Sequence, residues 1–302
     1  MGTDDWPDGA DHRPALPPRL SPSRAKQYKQ CPRLFYFTTV AGLSSPPTLA
    51  TAKGTIVHAA CEHIFDLPPQ QRTVETAVTY LAPAWADLTA DVPDDPDKAA
   101  DAATLRELAP AGSEQEAKLL ADAEQAVTNW FAMERVGVID PTAVVLPDGA
   151  TVDGRELHLQ ADVGPVTVHG FVDRFDTWVA DDVRRWSITD YKTGRVPAPR
   201  YVDEYWFQLR VYALLAFLQW GVIVDMVRLV FVTNGRPDDI LRLTVDEALL
   251  RRTAAELTGL WRAITAAART GTWPTRTGPL CGWCHFQPVC PAFAGQNPTP
   301  AD

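Results

Sequence analysis

Two aspartates and a lysine stand inside stretches that otherwise alternate apolar and polar residues. The stretches read HGFVDRFDTW at 169–178 and SITDYKTG at 187–194. Alternation predicts strands, on which Asp190 and Lys192 project from one face, and Asp173 joins them if the two strands are neighbours. Facing carboxylates repel unless a cation lies between them, and oxygen ligands suit Mg²⁺ or Mn²⁺. With a lysine nearby to polarise a phosphate oxygen or activate water, such a group could hydrolyse a phosphodiester.

The spacing of Asp190 and Lys192 alone does not distinguish this chemistry from ordinary structure. An Asp–Lys ion pair, or charged residues at the end of a strand, produces the same tripeptide, which is very common. The surrounding sequence has to separate the two interpretations.

Hydrophobic periodicity and helix breakers predict the elements that would position these residues. Helices are expected at about 21–30, 50–66, 70–90 and 113–136, with the Pro- and Asp-rich residues 91–97 as a linker. Strands are expected at 156–163, 166–179 and 184–193, then a helix at 204–220, a strand at 226–233 and a final helix at 245–270. A helical region followed by a small sheet with one crossing helix indicates an α/β or α+β fold.

Composition limits the possible partners. The chain has 302 residues, 46% of them hydrophobic, which is enough to bury a sizeable core. The net charge of −10 weakens the case for a nucleic-acid partner without excluding it, because basic residues cluster at 24–33. No apolar run approaches the roughly 20 residues that span a bilayer. The N-terminus is acidic and proline-rich, unlike a secretory signal. We therefore expect a cytoplasmic protein with no membrane partner.

The cysteines suggest a metal site. Five cysteines in a chain without an export signal argue against a disulfide framework. Cys281, Cys284 and Cys290 lie close together in CGWCHFQPVC, and Cys31 lies far upstream. Four thiolates could hold Zn²⁺ or an iron–sulfur cluster, and spacing does not separate the two. Cys61 lies among helix-forming residues and is expected to be a small buried apolar side chain.

Five motifs in order resemble the PD-(D/E)xK nuclease superfamily and, more closely, its RecB-type branch. Each motif alone is weak evidence, but the order is specific. With the C-terminal cysteine segment, the resemblance spans residues 20–294. The five are LSPSRAKQYKQCPRLFYF as the opening helix, KGTIVHAACEHIF with Gly54 and His58, GFVDRFD with Asp173, ITDYKTG with Asp190 and Lys192, and QLRVYALL with Gln208 and Tyr212.

The resemblance implies a restriction-endonuclease-like α/β core, a small mixed sheet flanked by helices. An N-terminal helical region and a C-terminal cysteine-cluster tail would complete it. One nuclease domain would cover residues 19–294, with a helical insertion at about 68–140. Disordered segments are expected at 1–18 and 295–302.

The resemblance also assigns roles to residues. Lys192 would orient or activate the attacking water, Gln208 and Tyr212 would line the active site beside the DNA backbone, and Glu156 aligns loosely with an acid on the preceding strand. The implied ligands of Mg²⁺ or Mn²⁺ are His58, Asp173, Asp190 and the carbonyl of Tyr191. Phosphate contacts are expected from Arg24, Lys29, Arg174 and Arg195.

The cysteine spacing is similar to that of the iron–sulfur members of this branch, which include AddB-type and CRISPR-associated adaptation nucleases. The resemblance therefore favours a structural [4Fe–4S] cluster over Zn²⁺. Its ligands would be Cys31, Cys281, Cys284 and Cys290.

The implied function is a Mg²⁺- or Mn²⁺-dependent deoxyribonuclease, expected to be an exonuclease in DNA repair, recombination or foreign-DNA processing. Two alternatives remain open: an inactive nucleic-acid-binding module, and a redox or metal protein that uses only the cysteine site. The sequence contains no P-loop, so any helicase activity would come from a separate helicase or another repair protein.

Overall fold

The computed structural model describes residues 16–293, which group into two compact units. The first unit contains the described residues up to 45, residues 163–167 and the described residues from 255 onward. The second contains residues 46–162 and 168–254. The disordered segments expected at 1–18 and 295–302 lie outside the described residues, apart from 16–18. The single nuclease domain expected over 19–294 stays a prediction.

The described residues form helices and strands whose bounds are as follows. The helices are α1 (Pro22–Gln30), α2 (Pro32–Phe35), α3 (Leu49–His63), α4 (Val74–Val78), α5 (Leu81–Thr89), α6 (Pro96–Leu108), α7 (Glu114–Met133), α8 (Val202–Trp220) and α9 (Glu247–Thr270). The strands are β1 (Arg19–Leu20), β2 (Val144–Val145), β3 (Thr151–Val152), β4 (Arg155–Val163), β5 (Val166–Ala180), β6 (Val183–Lys192), β7 (Met226–Phe231) and β8 (Ile240–Thr244).

The sheet of the second unit has the order β5-β6-β7-β8, with β4 paired to β5. β5 and β6 form an antiparallel hairpin, whereas β6 and β7 are parallel. Parallel neighbours need a crossover connection, and α8 provides it. β7 and β8 are again antiparallel. This mixed sheet flanked by helices confirms the predicted α/β fold class.

Helices cover both faces of this sheet. On one face, α3, α5 and α7 form a core with Tyr191 and Val230, which lie opposite each other on β6 and β7. On the other face, α8 packs against β6 and β7, and its Trp220 ring contacts Phe175 of β5. Because side chains alternate along a strand, Asp173 and Asp190 project toward the α8 face, and Tyr191 projects away from it.

Local sequence explains where two of the predicted helices begin. Ser21 caps α1 by accepting a hydrogen bond from the Arg24 N–H, and Pro22 occupies the first turn. Thr48 and Thr51 form a reciprocal capping box at the start of α3. Both helices were expected from periodicity, and the structure confirms them.

Other expectations about the helical region were wrong. The helix expected at 70–90 is two helices, α4 and α5, and α6 was not predicted. The residues taken as a linker contain the start of α6: Asp95 caps the N–H of Lys98, and Pro96 is the first helical residue. Proline and aspartate are as typical of a helix start as of a linker, which explains the error. Strands β1, β2, β3 and β8 were also not predicted.

Among the described helices, none combines the length and apolar composition needed to cross a membrane.

Candidate active site

The β5–β6 ladder ends where the two motif aspartates meet. The last paired residues are Arg174 and Thr189, which places Asp173 and Asp190 one step beyond them on their strands. Tyr191 then donates its backbone N–H to Asp173 Oδ2 at 2.7 Å. The Asp173 carboxylate therefore accepts the hydrogen bond that a backbone carbonyl would accept if the ladder continued. This bond holds the Asp173 side chain at the end of the ladder.

His58 reaches the same point from α3. Its Nε2 lies 3.0 Å from the Tyr191 carbonyl oxygen, and its Nδ1 lies 3.5 Å from Asp173 Oδ2. A carbonyl oxygen can only accept, so a neutral ring carries its proton on Nε2 and presents the Nδ1 lone pair to Asp173. Two electron-pair donors that face each other need a cation or a proton between them.

Glu156 completes a group of three possible metal ligands. One ligand atom from each of His58, Glu156 and Asp173 lies within 4.8 Å of the other two. Glu156 has a φ of 40°, a conformation that costs a non-glycine residue about 1–3 kcal/mol and often occurs at functional sites. Two residues before it, Gly154 approaches β5 so closely that a Cβ would lie 2.2 Å from the Phe175 carbonyl oxygen. Glycine is therefore required there to bring the start of β4 against β5.

Asp190 and Lys192 lie beside this group as an ion pair. Asp190 is only 2% exposed, and its Oδ2 is 2.5 Å from Lys192 Nζ. Burial alone would lower the pKa of Lys192, but attraction to Asp190 outweighs it and raises the pKa above its usual value. Lys192 is therefore an ammonium at neutral pH, and its charge faces the acids.

The acids of the site share an excess of negative charge. Burial and then repulsion from Asp190 raise the pKa of Asp173 to about 7. Burial also raises the pKa of Glu156, and Asp190 again adds to the effect. A cation held between these carboxylates would relieve both the repulsion and part of the desolvation cost. The donor set of two carboxylates and one imidazole therefore fits a divalent metal ion.

The motif residues of α8 face the same acids. Gln208 Nε2 donates to the Tyr212 hydroxyl at 2.9 Å, as expected for side chains four residues apart on a helix. Burial raises the pKa of Tyr212, and the charges of Asp190 and Asp173 raise it further. The structure thus brings Gln208 and Tyr212 together with the strand motifs.

Arg174 does not belong to the DNA-contacting set to which it was assigned. Its side chain is 1% exposed and forms two hydrogen bonds, of 2.9 and 3.0 Å, with the Glu134 carboxylate. It also donates to the Tyr191 hydroxyl. The prediction was wrong because alternation turns Arg174 away from the face that carries Asp173, into the buried side of the sheet.

Glu134 is a structural residue of this site that the sequence analysis missed. It follows α7 and accepts hydrogen bonds from Arg174, Arg228 and the indole N–H of Trp130. Burial opposes its ionisation, but the two guanidinium groups lower its pKa well below the usual range. No local pattern marks Glu134 as part of this network, since its two arginine partners lie on distant strands.

The other predicted phosphate-binding residues differ in their surroundings. Arg195 is exposed in the second unit, after the D-Y-K-T-G motif. Arg24 is exposed on α1, in the first unit. On the same helix, Lys29 forms an ion pair with Glu256 of α9, so it would have to leave that partner to contact a phosphate.

The four predicted cluster cysteines line one cavity of the first unit. Burial raises the pKa of the Cys284 thiol, and the nearby thiols of Cys290, Cys281 and Cys31 raise it further. Two of the sulfurs accept backbone N–H groups at 3.4 Å, Cys31 from Arg276 and Cys281 from Gly278. Cys61 is buried in the helical core of the second unit, as expected.

Comparison with known proteins agrees with this geometry. A comparison with curated proteins finds no relative. Among solved structures, the chain is similar to a protein from Eubacterium rectale described as "Putative exonuclease", with a TM-score of 0.52 and 10% sequence identity. The match covers 100% of this chain and 95% of the other, and at that identity it shows a shared fold. The family model of the PD-(D/E)XK nuclease superfamily matches residues 19–291, and the chain therefore belongs to that superfamily.

Proposed function

We propose that the chain is a RecB-type, Mg²⁺- or Mn²⁺-dependent deoxyribonuclease that acts as an exonuclease. The observation that carries the proposal is the convergence of His58, Glu156 and Asp173 beside the Asp190–Lys192 pair. The family match supports the same reaction class, and nucleases of this superfamily typically use divalent metal ions.

In this proposal, His58, Glu156 and Asp173 hold the metal ion. Asp190 and the Tyr191 carbonyl are further candidate ligands, since the carbonyl has a second lone pair besides the one that faces His58. When bound, the ion supplies a Lewis acid that polarises the scissile phosphate and lowers the pKa of the attacking water.

The residues around the metal ligands have distinct tasks. Lys192 carries a positive charge and is placed to donate a hydrogen bond to a phosphate oxygen or to orient water, rather than to act as a base. Gln208 and Tyr212 offer polar groups from α8 to the same space. Exposed Arg195 offers a cation for the DNA backbone.

The test compares degradation of 5′- and 3′-labelled single- and double-stranded DNA with Mg²⁺ or Mn²⁺. The His58→Ala, Asp173→Asn, Asp190→Asn and Lys192→Ala variants should each lose cleavage by orders of magnitude. The matched control is His63→Ala, because His63 lies on the same helix but is exposed and pairs with Asp66. This variant should cleave like the parent.

The variants also separate a nuclease from an inactive binder. Lys192→Ala should still bind metal, whereas His58→Ala and Asp173→Asn should bind it more weakly. A parent protein that binds DNA but cuts no substrate with either metal would contradict the proposal. If Asp190→Asn and Lys192→Ala both cleave DNA at the rate of the parent, these two residues do not form the active site.

We further propose a [4Fe–4S] cluster on Cys31, Cys281, Cys284 and Cys290. The proposal is supported by the shared cavity and by the N–H···S contacts, which favour thiolates. Zn²⁺ remains the alternative occupant, because four thiolates also suit tetrahedral zinc. A role in repair, recombination or foreign-DNA processing, and a helicase or repair partner, belong to this proposal as well.

A further inference from the structure

β5 carries a large exposed aromatic side chain two residues before the first motif aspartate. Phe171 is 53% exposed, whereas its neighbour Val172 is fully buried. Alternation therefore places Phe171 on the same face as Asp173. Two residues of a strand span about 6.6 Å, which is similar to the length of one nucleotide in an extended strand. Phe171 thus lies about one nucleotide away from the proposed site of cleavage.

A histidine ring of the neighbouring strand orients Phe171. His158 of β4 packs on it with ring centroids 4.8 Å apart and an angle of 35° between the rings. His158 also contacts His169, with a centroid distance of 5.8 Å. We name these three side chains, Phe171, His158 and His169, the aromatic platform. The packing orients the Phe171 ring while leaving more than half of the residue open to solvent, as a stacking surface requires.

We propose that the aromatic platform stacks a base of single-stranded DNA next to the phosphodiester that is cut. This inference rests on the proposed nuclease function and adds the substrate class to it. Without metal, the carboxylates of Asp173, Glu156 and Asp190 repel phosphates, and Lys192 and Arg195 offset this repulsion only in part. A contact that does not depend on charge would add to the binding of a nucleotide here. Stacking on an aromatic ring provides that contact and accepts any base.

The platform selects against an intact duplex. In a duplex, each base is stacked on its neighbours and paired, so its face is not available to Phe171. A single strand or a frayed end exposes that face. The platform therefore favours single-stranded DNA or the unpaired end of a duplex.

The test is a double-mutant cycle that combines Phe171→Ala in the protein with removal of one base from the oligonucleotide. Binding of a labelled single-stranded oligonucleotide is measured in EDTA, so that no strand is cut, for the parent and for Phe171→Ala. We expect a loss of about 5- to 100-fold for Phe171→Ala. A series of oligonucleotides, each with one abasic residue, then locates the base. At one position the abasic residue should weaken oligonucleotide binding by the parent by a similar factor and should not change binding by Phe171→Ala.

Other variants separate stacking from simple apolar contact. Phe171→Trp should retain affinity, and Phe171→Leu should lose it, because leucine is apolar but has no flat ring. Val179→Ala is the matched control, since Val179 is 59% exposed on the same strand and face. It should bind like the parent. Intact blunt duplex should bind the parent and Phe171→Ala equally.

Two failures remain distinguishable. In the first, the parent cuts DNA, but the losses of binding free energy caused by Phe171→Ala and by the abasic residue are additive at every position. That result would leave the nuclease proposal standing and overturn the stacking proposal. Equal binding by Phe171→Leu and Phe171→Trp would also overturn it. If the parent cuts no DNA with either metal, the proposed function fails, whatever the binding cycle shows.

Discussion

Asp173 is subject to opposing influences that a divalent metal ion would resolve. Burial and the Asp190 charge disfavour its ionised form, whereas the Lys192 charge, the Tyr191 N–H and a protonated His58 ring would favour it. The first set prevails without metal, and the pKa of Asp173 rises to about 7. Asp173 is therefore suited to binding a cation, because its ionised form is disfavoured and the neutral His58 ring directs a lone pair at it.

The raised pKa predicts how the stability of the metal-free protein depends on pH. The unfolded chain releases the Asp173 proton near pH 3.8, whereas the folded chain keeps it until about pH 7. The folded state thus binds more protons between these values, and Asp173 lowers stability progressively as pH rises through that window. Asp173→Asn should remove this loss.

Denaturant unfolding in EDTA measures this effect. Asp173→Asn should be more stable than the parent at pH 8 and nearly equal to it at pH 4, where the native aspartate is protonated. The pH 4 comparison is the internal control for any packing change. A variant less stable than the parent at pH 8 would show that Asp173 is not a costly charge in the folded protein.

At the scale of elements, the carboxylate that follows α7 supports the strands of the candidate active site. Glu134, directly after α7, binds Arg174 of β5 and Arg228 of β7, and Arg174 in turn binds the Tyr191 hydroxyl of β6. The backbone of Tyr191 contacts both Asp173 and His58. The buried ion pairs therefore hold the strand whose backbone positions two of the proposed metal ligands.

Glu134→Gln should be strongly destabilising. It keeps the size of the side chain but removes the charge that Arg174 and Arg228 share, so that Asp176 is the carboxylate still paired with Arg174. Breaking a buried ion pair in this way typically costs about 3–5 kcal/mol. The matched control is Glu247→Gln, which breaks an exposed pair with Arg251 and should cost at most about 0.5 kcal/mol. Chemical denaturation measures both. Equal midpoints for Glu134→Gln and the parent would mean that this network does not stabilise the fold.

The difference between Asp173 and Arg174 shows what the sequence could predict. Alternation and motif order correctly predicted the strands β4 to β6 and the helix α8, and they directed attention to Asp173, Asp190 and Lys192. Such patterns are local, so a reader of the sequence can find them. Arg174 does have a local partner, Asp176, but Glu134 is separated from it by 40 residues, and no periodicity connects the two. Buried polar networks depend on contacts between distant elements, which the sequence does not display.

Glu156 shows the same limit in a milder form. Its strand was predicted, but its φ of 40° departs from regular strand geometry. Alternation alone therefore could not establish that its carboxylate reaches His58 and Asp173. The close approach of Gly154 to Phe175 sets the residues just before Glu156 against β5, and this contact is not visible in the alternation.

At the scale of the whole molecule, the cysteine cavity joins distant parts of the sequence. Cys31 lies near the start of the described chain and the other three cysteines lie near its end, yet all belong to the first unit. A metal centre that links them would close a loop containing most of the chain. Closing so long a loop removes conformational entropy from the unfolded state, so binding of the centre should contribute to folding.

The metal content and the melting temperature test this clamp together. We expect a brown protein with about four irons per chain. Cys281→Ala should lose iron and melt at a clearly lower temperature, because the two ends are no longer joined. Cys61→Ala is the control for iron content, since Cys61 lies in the other unit, and it should retain the full amount. A colourless protein with one zinc would show that the cysteine site holds zinc instead of an iron–sulfur cluster, and it would not contradict the clamp. An unchanged melting temperature in Cys281→Ala would reject the clamp itself, because a centre that joins the ends must stabilise the folded chain.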